Sequence, residues 1–301
     1  HRRSRSRGLP PPPARESRSA MPELPEVETV RRGLEPALLG RCLHKVVVKR
    51  KDLRIPFPKG FAARLTDRNV AALERRAKYI LMHLSGGETL IVHLGMSGSL
   101  KWMAQVETSG ATTEPAGPHD HFDLVTSHGT LRLHDPRRFG AVVWSRAMTS
   151  DPAAKLLSRL GPEPFDATLD DASFYARLHP RRSAIKQVLL SGDAVVGAGN
   201  IYACEALFAA GIDPRTPACR ISRPRAARLL ASVRHTLSQA LQLGGTTLRD
   251  FSDAHGMNGE FQNVAWVYGR EGQACQRCGT PIRRLVQAQR ATYYCPVCQK
   301  R

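Results

Sequence analysis

The sequence predicts an α+β protein in two parts: a β-sandwich or barrel domain carrying an N-terminal helix, and a helical domain ending in a hairpin with zinc-ribbon cysteine spacing. Three observations predict it. Short β-prone runs fill the first half, the apolar spacing turns helical beyond Asp171, and two pairs of cysteines close the chain. At 301 residues and 42% hydrophobic content the chain can bury a sizeable core, and length alone suggests one large or two ordinary domains, of which two are expected.

Residues 1–20 combine Arg, Ser and four successive prolines with almost no apolar content. Such a segment cannot repay the entropy of ordering, so it is expected to be disordered. The chain starts at His1, while the internal Met21 opens a well-patterned segment, so the stretch before it reads as an over-extended gene start or a tag. Val27, Val30, Leu34 and Leu38 then give a helical apolar face that Gly40 ends and Pro36 is expected to kink or split. Strand-like runs follow at Leu43 to Val48, Tyr79 to Leu84, Leu90 to Leu94, Phe122 to Thr126, Thr130 to Leu133 and Ala141 to Trp144. Gly, Pro and Asp signals divide them in the manner of a sandwich or barrel. The polar stretch Val106 to Pro118 reads as a flexible loop, and the Pro-rich segment Asp151 to Asp171 as a boundary. Beyond it, Ser183 to Leu190, Asn200 to Ala210 and Pro224 to Leu241 are candidate helices, the last stopped by Gly244 and Gly245.

A formal charge of +19 and a pI near 10.4 make a polyanion the first partner to consider. Six Arg against Glu16 give the first 20 residues +5, leaving +14 on the rest, so the basicity belongs to the folded part. The longest apolar stretch, Val195 to Ile212, is interrupted by Asn200 and Glu205 and falls short of a membrane span. No membrane partner is expected. The N-terminus lacks the apolar core of a secretory signal and the seven Cys read as intracellular thiols, so a cytoplasmic, nucleoid-associated chain is expected.

Cys275-x2-Cys278, sixteen residues, then Cys295-x2-Cys298 is the spacing of a ribbon-type four-thiolate zinc site. Two disulfides or free thiols are the competing reading, and suit an intracellular chain less well. A closed four-Cys site leaves no open position on the metal, so one structural Zn2+ is expected. Cys42, Cys204 and Cys219 read as ordinary buried thiols. At the other end, Glu23, Glu26 and Glu28 are, on composition alone, acidic residues favoured by a helix dipole, with Pro25 a first-turn proline.

That N-terminal run, Met21-Pro22-Glu23-Leu24-Pro25-Glu26-Val27-Glu28-Thr29-Val30-Arg31-Arg32-Gly33-Leu34-Glu35-Pro36, resembles the start of the formamidopyrimidine-DNA glycosylases, bacterial enzymes for oxidised purines. Further motifs of the family follow in order. They are Arg76-Ala77-Lys78-Tyr79, His93-Leu94-Gly95-Met96-Ser97-Gly98, His119-Asp120-His121, Asp135-Pro136-Arg137-Arg138-Phe139-Gly140, Val196 to Ala203, Gly244 to Thr247, and Ala288 to Thr292. The resemblance covers Met21 to Lys300.

It implies that Met21 is removed and that the Pro22 amine attacks the sugar C1′ carbon to form a Schiff base. An α-amino group, with a reference pKa near 8, is partly neutral at physiological pH. By the same resemblance Glu23 is the acid that protonates the sugar ring oxygen, and Glu26 orients the amine. Close carboxylates can be driven to different protonation states. Lys78 corresponds to the proton donor and phosphate contact of β-elimination, and Arg290, on the zinc hairpin, assists δ-elimination. Without the resemblance both would be solvated basic residues. Flipping a base out of duplex DNA leaves a hole. Met96, Arg137 and Phe139 correspond to the side chains that fill it, with Arg138 beside them as a DNA contact; on residue type alone Met96 and Phe139 would be core. Asn200 opens a helix as a cap and phosphate contact in the family's helix-two-turn-helix module. His119 and Arg181 are further DNA contacts, although Arg181 lies in Pro180-Arg181-Arg182-Ser183 where the family has a Lys-rich run.

The implied partition is an extension with the removable Met at 1–21, a catalytic sandwich at 22–148, a linker at 149–165, the helix-two-turn-helix domain with a lesion loop at 166–263, and a zinc finger at 264–301. The expected partner is double-stranded DNA containing oxidised purines, bound by a monomer. Two alternatives remain: an endonuclease VIII-like glycosylase for oxidised pyrimidines, and a non-catalytic DNA-binding protein if the extension is retained, since Pro22 would then be a mid-chain amide.

Overall fold

The computed structural model describes residues 21–105, 114–246 and 254–301. The expectations for residues 1–20, for most of the Val106 to Pro118 loop and for residues 247–253 of the lesion loop, read at Thr246 to Gly269, lie outside them. The first element is helix α1 (Leu24–Leu38), which buries Leu24, Val27, Val30, Leu34 and Leu38. Each such side chain contributes about 1.5–3 kcal/mol on burial. Pro36 does not split this helix. It stands in the last turn, where the missing N–H forfeits a single bond, and the chain leaves with the Leu39 amide donating to Glu35 O.

Strand β1 (Lys45–Val48), the short α2 (Phe61–Leu65) and strands β2 (Val70–Arg76), β3 (Tyr79–Leu84), β4 (Thr89–His93), β5 (Ser99–Ala104), β6 (Asp120–Thr126), β7 (Gly129–His134) and β8 (Ala141–Ser145) complete the first part. They form two four-stranded antiparallel sheets, ordered β1-β6-β7-β5 and β2-β3-β4-β8. Ile80, Met82, Leu84, Leu90 and Val92 join the main core from one sheet, and Leu100, Phe122, Leu124, Leu131 and Leu133 from the other. The predicted sandwich is therefore present. The two strands that the sequence reading omits, β2 and β5, are both edge strands, where polar residues such as Glu74, Arg75 and Lys101 mask the alternation.

The span read as a linker contains helix α3 (Ala153–Leu157), whose fully buried Ala153 covers Leu81 and Ile91 on the outer face of a sheet. This segment is part of the sandwich's packing. Helices α4 (Asp171–Leu178), α5 (Ile185–Ser191), α6 (Asn200–Ala210) and α7 (Arg223–Gln242) follow. Nine of the eleven residues of α6 are buried, as befits a helix at the centre of a domain. The amphipathic α7 lays Leu229, Leu230, Val233 and Leu237 over it and ends at Gly244 and Gly245, both at positive φ. The hairpin of β9 (Arg283–Gln287) and β10 (Arg290–Tyr294) closes the chain. Helix α1 packs on both β2 and α7, so the start of α1 lies where the two parts meet.

A candidate nucleic-acid-processing site where the domains meet

Pro22 is buried directly ahead of α1, and the two carboxylates after it belong to both domains at once. Glu23 caps α1 while its side chain crosses to α6, accepting the backbone N–H groups of Gly199 at 2.7 Å, Ile201 at 2.9 Å and Tyr202 at 3.4 Å. The approach is close: a Cβ on Gly199 would lie 2.4 Å from Glu23 Cδ. Burial pushes the Glu23 carboxyl up to about 7 against the pull of Lys78 and the amides, and Glu26 adds to the rise. A carboxyl of that kind holds a proton near neutrality, as an acid catalyst must.

Glu26 is fully buried one turn on. It accepts the Glu23 N–H at 2.9 Å, the Tyr202 hydroxyl at 2.5 Å and the Thr246 N–H at 2.8 Å, tying α1, α6 and the end of α7 together. Burial raises its pKa too, opposed by these donors, and burial with Glu26 beside it holds Tyr202 well above its usual value, fixing it as a donor. The Glu23 N–H belongs to the peptide bond that Pro22 forms, so Glu26 positions Pro22 through that peptide. A Cβ on Gly245, at φ +82°, would stand 2.6 Å from Glu26 Oε1.

Lys78 sits half-buried at the turn between β2 and β3, whose backbone is fixed by the Ala77 N–H donating to Glu163 at 2.6 Å. Burial lowers its ammonium pKa, Glu23 opposes this, and the Arg290 guanidinium adds to it. The sandwich, α1 and the zinc hairpin thus share one electrostatic field. Arg290 is exposed at the start of β10, after Ala288 and Gln289, both at positive φ. The hairpin is held to the helical domain by Lys186, a fully buried lysine on α5 that donates to Ala291 O at 3.0 Å and Thr292 Oγ1 at 2.6 Å. Asn200 donates to the same Ala291 O at 2.9 Å.

Asn200 is not the cap expected of it. Gly199 takes the N-cap position, and Asn200 is the first helical residue. The Gly199, Ile201 and Tyr202 amides, which an incoming phosphate would use, are occupied by Glu23. Asn200 keeps a buried Oδ1 without a partner.

The loops of Met96 and Phe139 form one structure around Asp135. Its buried carboxylate accepts the Ser97 hydroxyl at 2.6 Å, the Arg138 N–H at 3.1 Å and the Gly140 N–H at 2.8 Å, while the Arg137 N–H donates to Ser97 Oγ. A Cβ on Gly95 would lie 2.3 Å from the Phe139 carbonyl carbon, so no side chain fits there. Phe139 is 44% exposed, with the Arg137 guanidinium 5.0 Å from its ring centre, and Met96 is half-buried. Arg138 and His119 are exposed, whereas Arg181 pairs with Asp193 at 2.9 Å on the helical domain.

At the C-terminus, the Sγ atoms of Cys275, Cys278, Cys295 and Cys298 lie within 4.8 Å of one another, with Cys275–Cys298 at 3.9 Å and Cys278–Cys295 at 3.5 Å. Tetrahedral zinc with bonds of about 2.3 Å has edges of about 3.8 Å. The four thiols fit one structural ion and are not disulfides.

Tyr202, Thr246, Lys186 and Asp135 were not assigned roles from sequence. Lys186 carried a signal, a charge between Ile185 and Val188 on the buried face of its helix. The other three are ordinary polar residues whose importance lies in long-range hydrogen bonds.

Comparison with known proteins agrees with this geometry. Residues 21–142 match the formamidopyrimidine-DNA glycosylase N-terminal domain, residues 160–252 its H2TH domain, and residues 272–301 the zinc finger found in FPG and IleRS. The formamidopyrimidine-DNA glycosylases of Bordetella petrii and Albidiferax ferrireducens are 54% and 52% identical, over 93% of this chain and all of theirs. The crystal structure of the MutM (Fpg) protein of Thermus thermophilus is similar with a TM-score of 0.81 at 39% identity, covering 92% of this chain and 98% of that one. A Lactococcus lactis Fpg complex with abasic-site DNA reaches 0.82 at 32% identity, covering 93% and 100%. Family domains along the chain, together with relatives matched over their whole length, make this protein a member of the formamidopyrimidine-DNA glycosylase family.

Proposed function

We propose that this protein excises oxidised purines, 8-oxoguanine and formamidopyrimidines, from duplex DNA and then cuts the strand by β,δ-elimination. The observation that carries the reading is a buried proline followed by a buried carboxyl that the α6 amides hold and whose pKa burial raises, with its peptide N–H held by a second buried carboxylate. Two solved neighbours, Lactococcus lactis Fpg proteins bound to Fapy-dG and abasic-site DNA, support it.

In a chain beginning at Pro22, the secondary amine attacks C1′, the glycosidic bond breaks, and the base leaves with that electron pair. Glu23 delivers its proton to the ring oxygen, the C1′–O4′ bond opens, and an iminium remains on Pro22. The carboxylate that Glu23 has become takes a C2′ proton, and the C3′–O bond breaks with its electron pair leaving on the 3′ phosphate beside Lys78; a C4′ proton then passes to water, and the C5′–O bond breaks with its pair leaving on the 5′ phosphate, Arg290 alongside. Met96, Arg137 and Phe139 occupy the gap left by the flipped base, and Arg138, His119, Arg181 and Asn200 serve the backbone. Arg181 must leave Asp193 to do so, and Asn200 must act through its side chain. The four-thiolate zinc holds the hairpin that presents Arg290. The protein acts as a monomer in the cytoplasm; no described helix is long and apolar enough to cross a membrane.

The test is strand cutting on duplexes carrying 8-oxoguanine opposite cytosine or an oxidised pyrimidine. The expected result is preferential cutting at 8-oxoguanine, leaving a one-nucleoside gap with phosphate on both ends. Preferential cutting at the pyrimidine lesion contradicts the purine assignment, and no cutting by a Pro22-terminated chain contradicts the activity.

A further inference from the structure

We propose that Cys42, His44 and Asp67 form a second metal site, taking a zinc-class divalent ion through one thiolate, one imidazole and one carboxylate with water in the fourth position. Their donor atoms lie within 4.8 Å of one another. The backbone brings them together. Cys42 and His44 stand two apart on extended chain, so both face the same way, while Leu43 between them turns into the core with no exposure. Across from them Cys42 bridges to Asn69, the Leu43 N–H donates to Arg68 O at 2.8 Å, and the Asp67 N–H donates to Leu43 O at 2.8 Å. Asp67 holds a left-handed backbone, φ +61°, uncommon for a residue other than glycine.

Cys42 is half-buried where the sequence predicts a buried thiol, and His44 and Asp67 are exposed. Neither the His44 nor the Asp67 side chain has a hydrogen bond or ion pair among the described residues, so both can close by rotation onto an ion. Thiolate and carboxylate together balance a divalent charge. Of the neighbouring cations, Arg68 is neutralised by Glu88 at 3.2 Å, which leaves Arg41 and Lys45 beside the site. A mixed S, N, O set suits zinc, and three protein ligands with an open position bind more weakly than the four-thiolate site. The trio lies beyond the far end of α1, whose 15 residues span about 22 Å, so it is separate from the carboxylates at the helix start.

The test uses the full chain with its hairpin zinc in place. Alkylation of each cysteine is followed by peptide mass with and without micromolar free zinc. Because the thiolate is the reacting species, zinc is expected to slow Cys42 at least about tenfold and leave Cys219 unchanged. His44→Gln and Asp67→Asn, both at exposed positions, are expected to abolish most of that protection, and zinc bound per chain is expected to fall from two to one in Cys42→Ser. Unchanged alkylation in zinc, or equal protection in the wild type and both variants, overturns the site.

Discussion

Glu23 is a carboxylate that accepts three amides and still has its pKa raised to about 7, because complete burial outweighs the donors. Base excision that needs its proton is expected to decline as pH rises through about 7, and Glu23→Gln is expected to lower the single-turnover rate about 10²–10⁴-fold and remove that limb. The same shift bears on stability. The native pKa lies above the unfolded value of 4.5, so the native state holds the extra proton between the two; Glu23's contribution is full below 4.5 and is lost as pH rises through 7. Thermal melts across that range are expected to show this slope in the wild type and a flatter one in Glu23→Gln. Gly199→Ala pushes a methyl to 2.4 Å from Glu23 Cδ and is expected to cost about 1–3 kcal/mol and most of the activity. Melting and excision assays check both; wild-type excision by the variant contradicts the close fit.

Elements matter here by their ends. The start of α1, the start of α6 and the end of α7 converge on two carboxylates, and the zinc hairpin reaches the same place through Lys186 and Asn200. Removing zinc with a chelator is expected to stop strand cutting while the sandwich retains its circular dichroism, because the hairpin holds Arg290 and the sandwich does not depend on it. Full cutting by a zinc-free protein contradicts this. Asp135→Ala releases three donors at once, and with them the Met96 and Phe139 loops. Its expected effect is about 2–3 kcal/mol of stability and weaker binding to abasic-site duplex, measured by melting and by titration. Much of this was legible in sequence. The α6 boundaries, the zinc spacing and the strand-rich first part follow from apolar pattern and residue chemistry, and the N-terminal motif singled out Pro22, Glu23 and Glu26, which the fold buries. Edge strands β2 and β5 were not legible, since one exposed face and charged tips blur the period. Nor was Glu23's occupation of the α6 amides, a contact spanning 178 residues that no local pattern encodes.

Glu163 clamps the segment that leads out of the sandwich onto β2: it takes Arg75 at 2.8 Å, Arg76 at 2.9 Å and the Ala77 N–H, next to Lys78. Burial opposes its ionisation, but the two guanidiniums hold its carboxyl below the usual range, so the clamp is present at neutral pH and fails only as pH falls below that range. The formal charge of +19 makes duplex binding salt-dependent, with log K expected to fall by about 0.9 per phosphate neutralised for each tenfold rise in salt. In the proposed mechanism Pro22 bonds covalently to the sugar, and borohydride trapping fixes that bond for inspection. A chain with a verified Pro22 terminus is mixed with duplex DNA bearing 8-oxoguanine opposite cytosine, reduced, and digested for peptide mass. The expected result is a covalent sugar adduct on Pro22; an adduct on Lys78 or another lysine instead, or none at all, contradicts it.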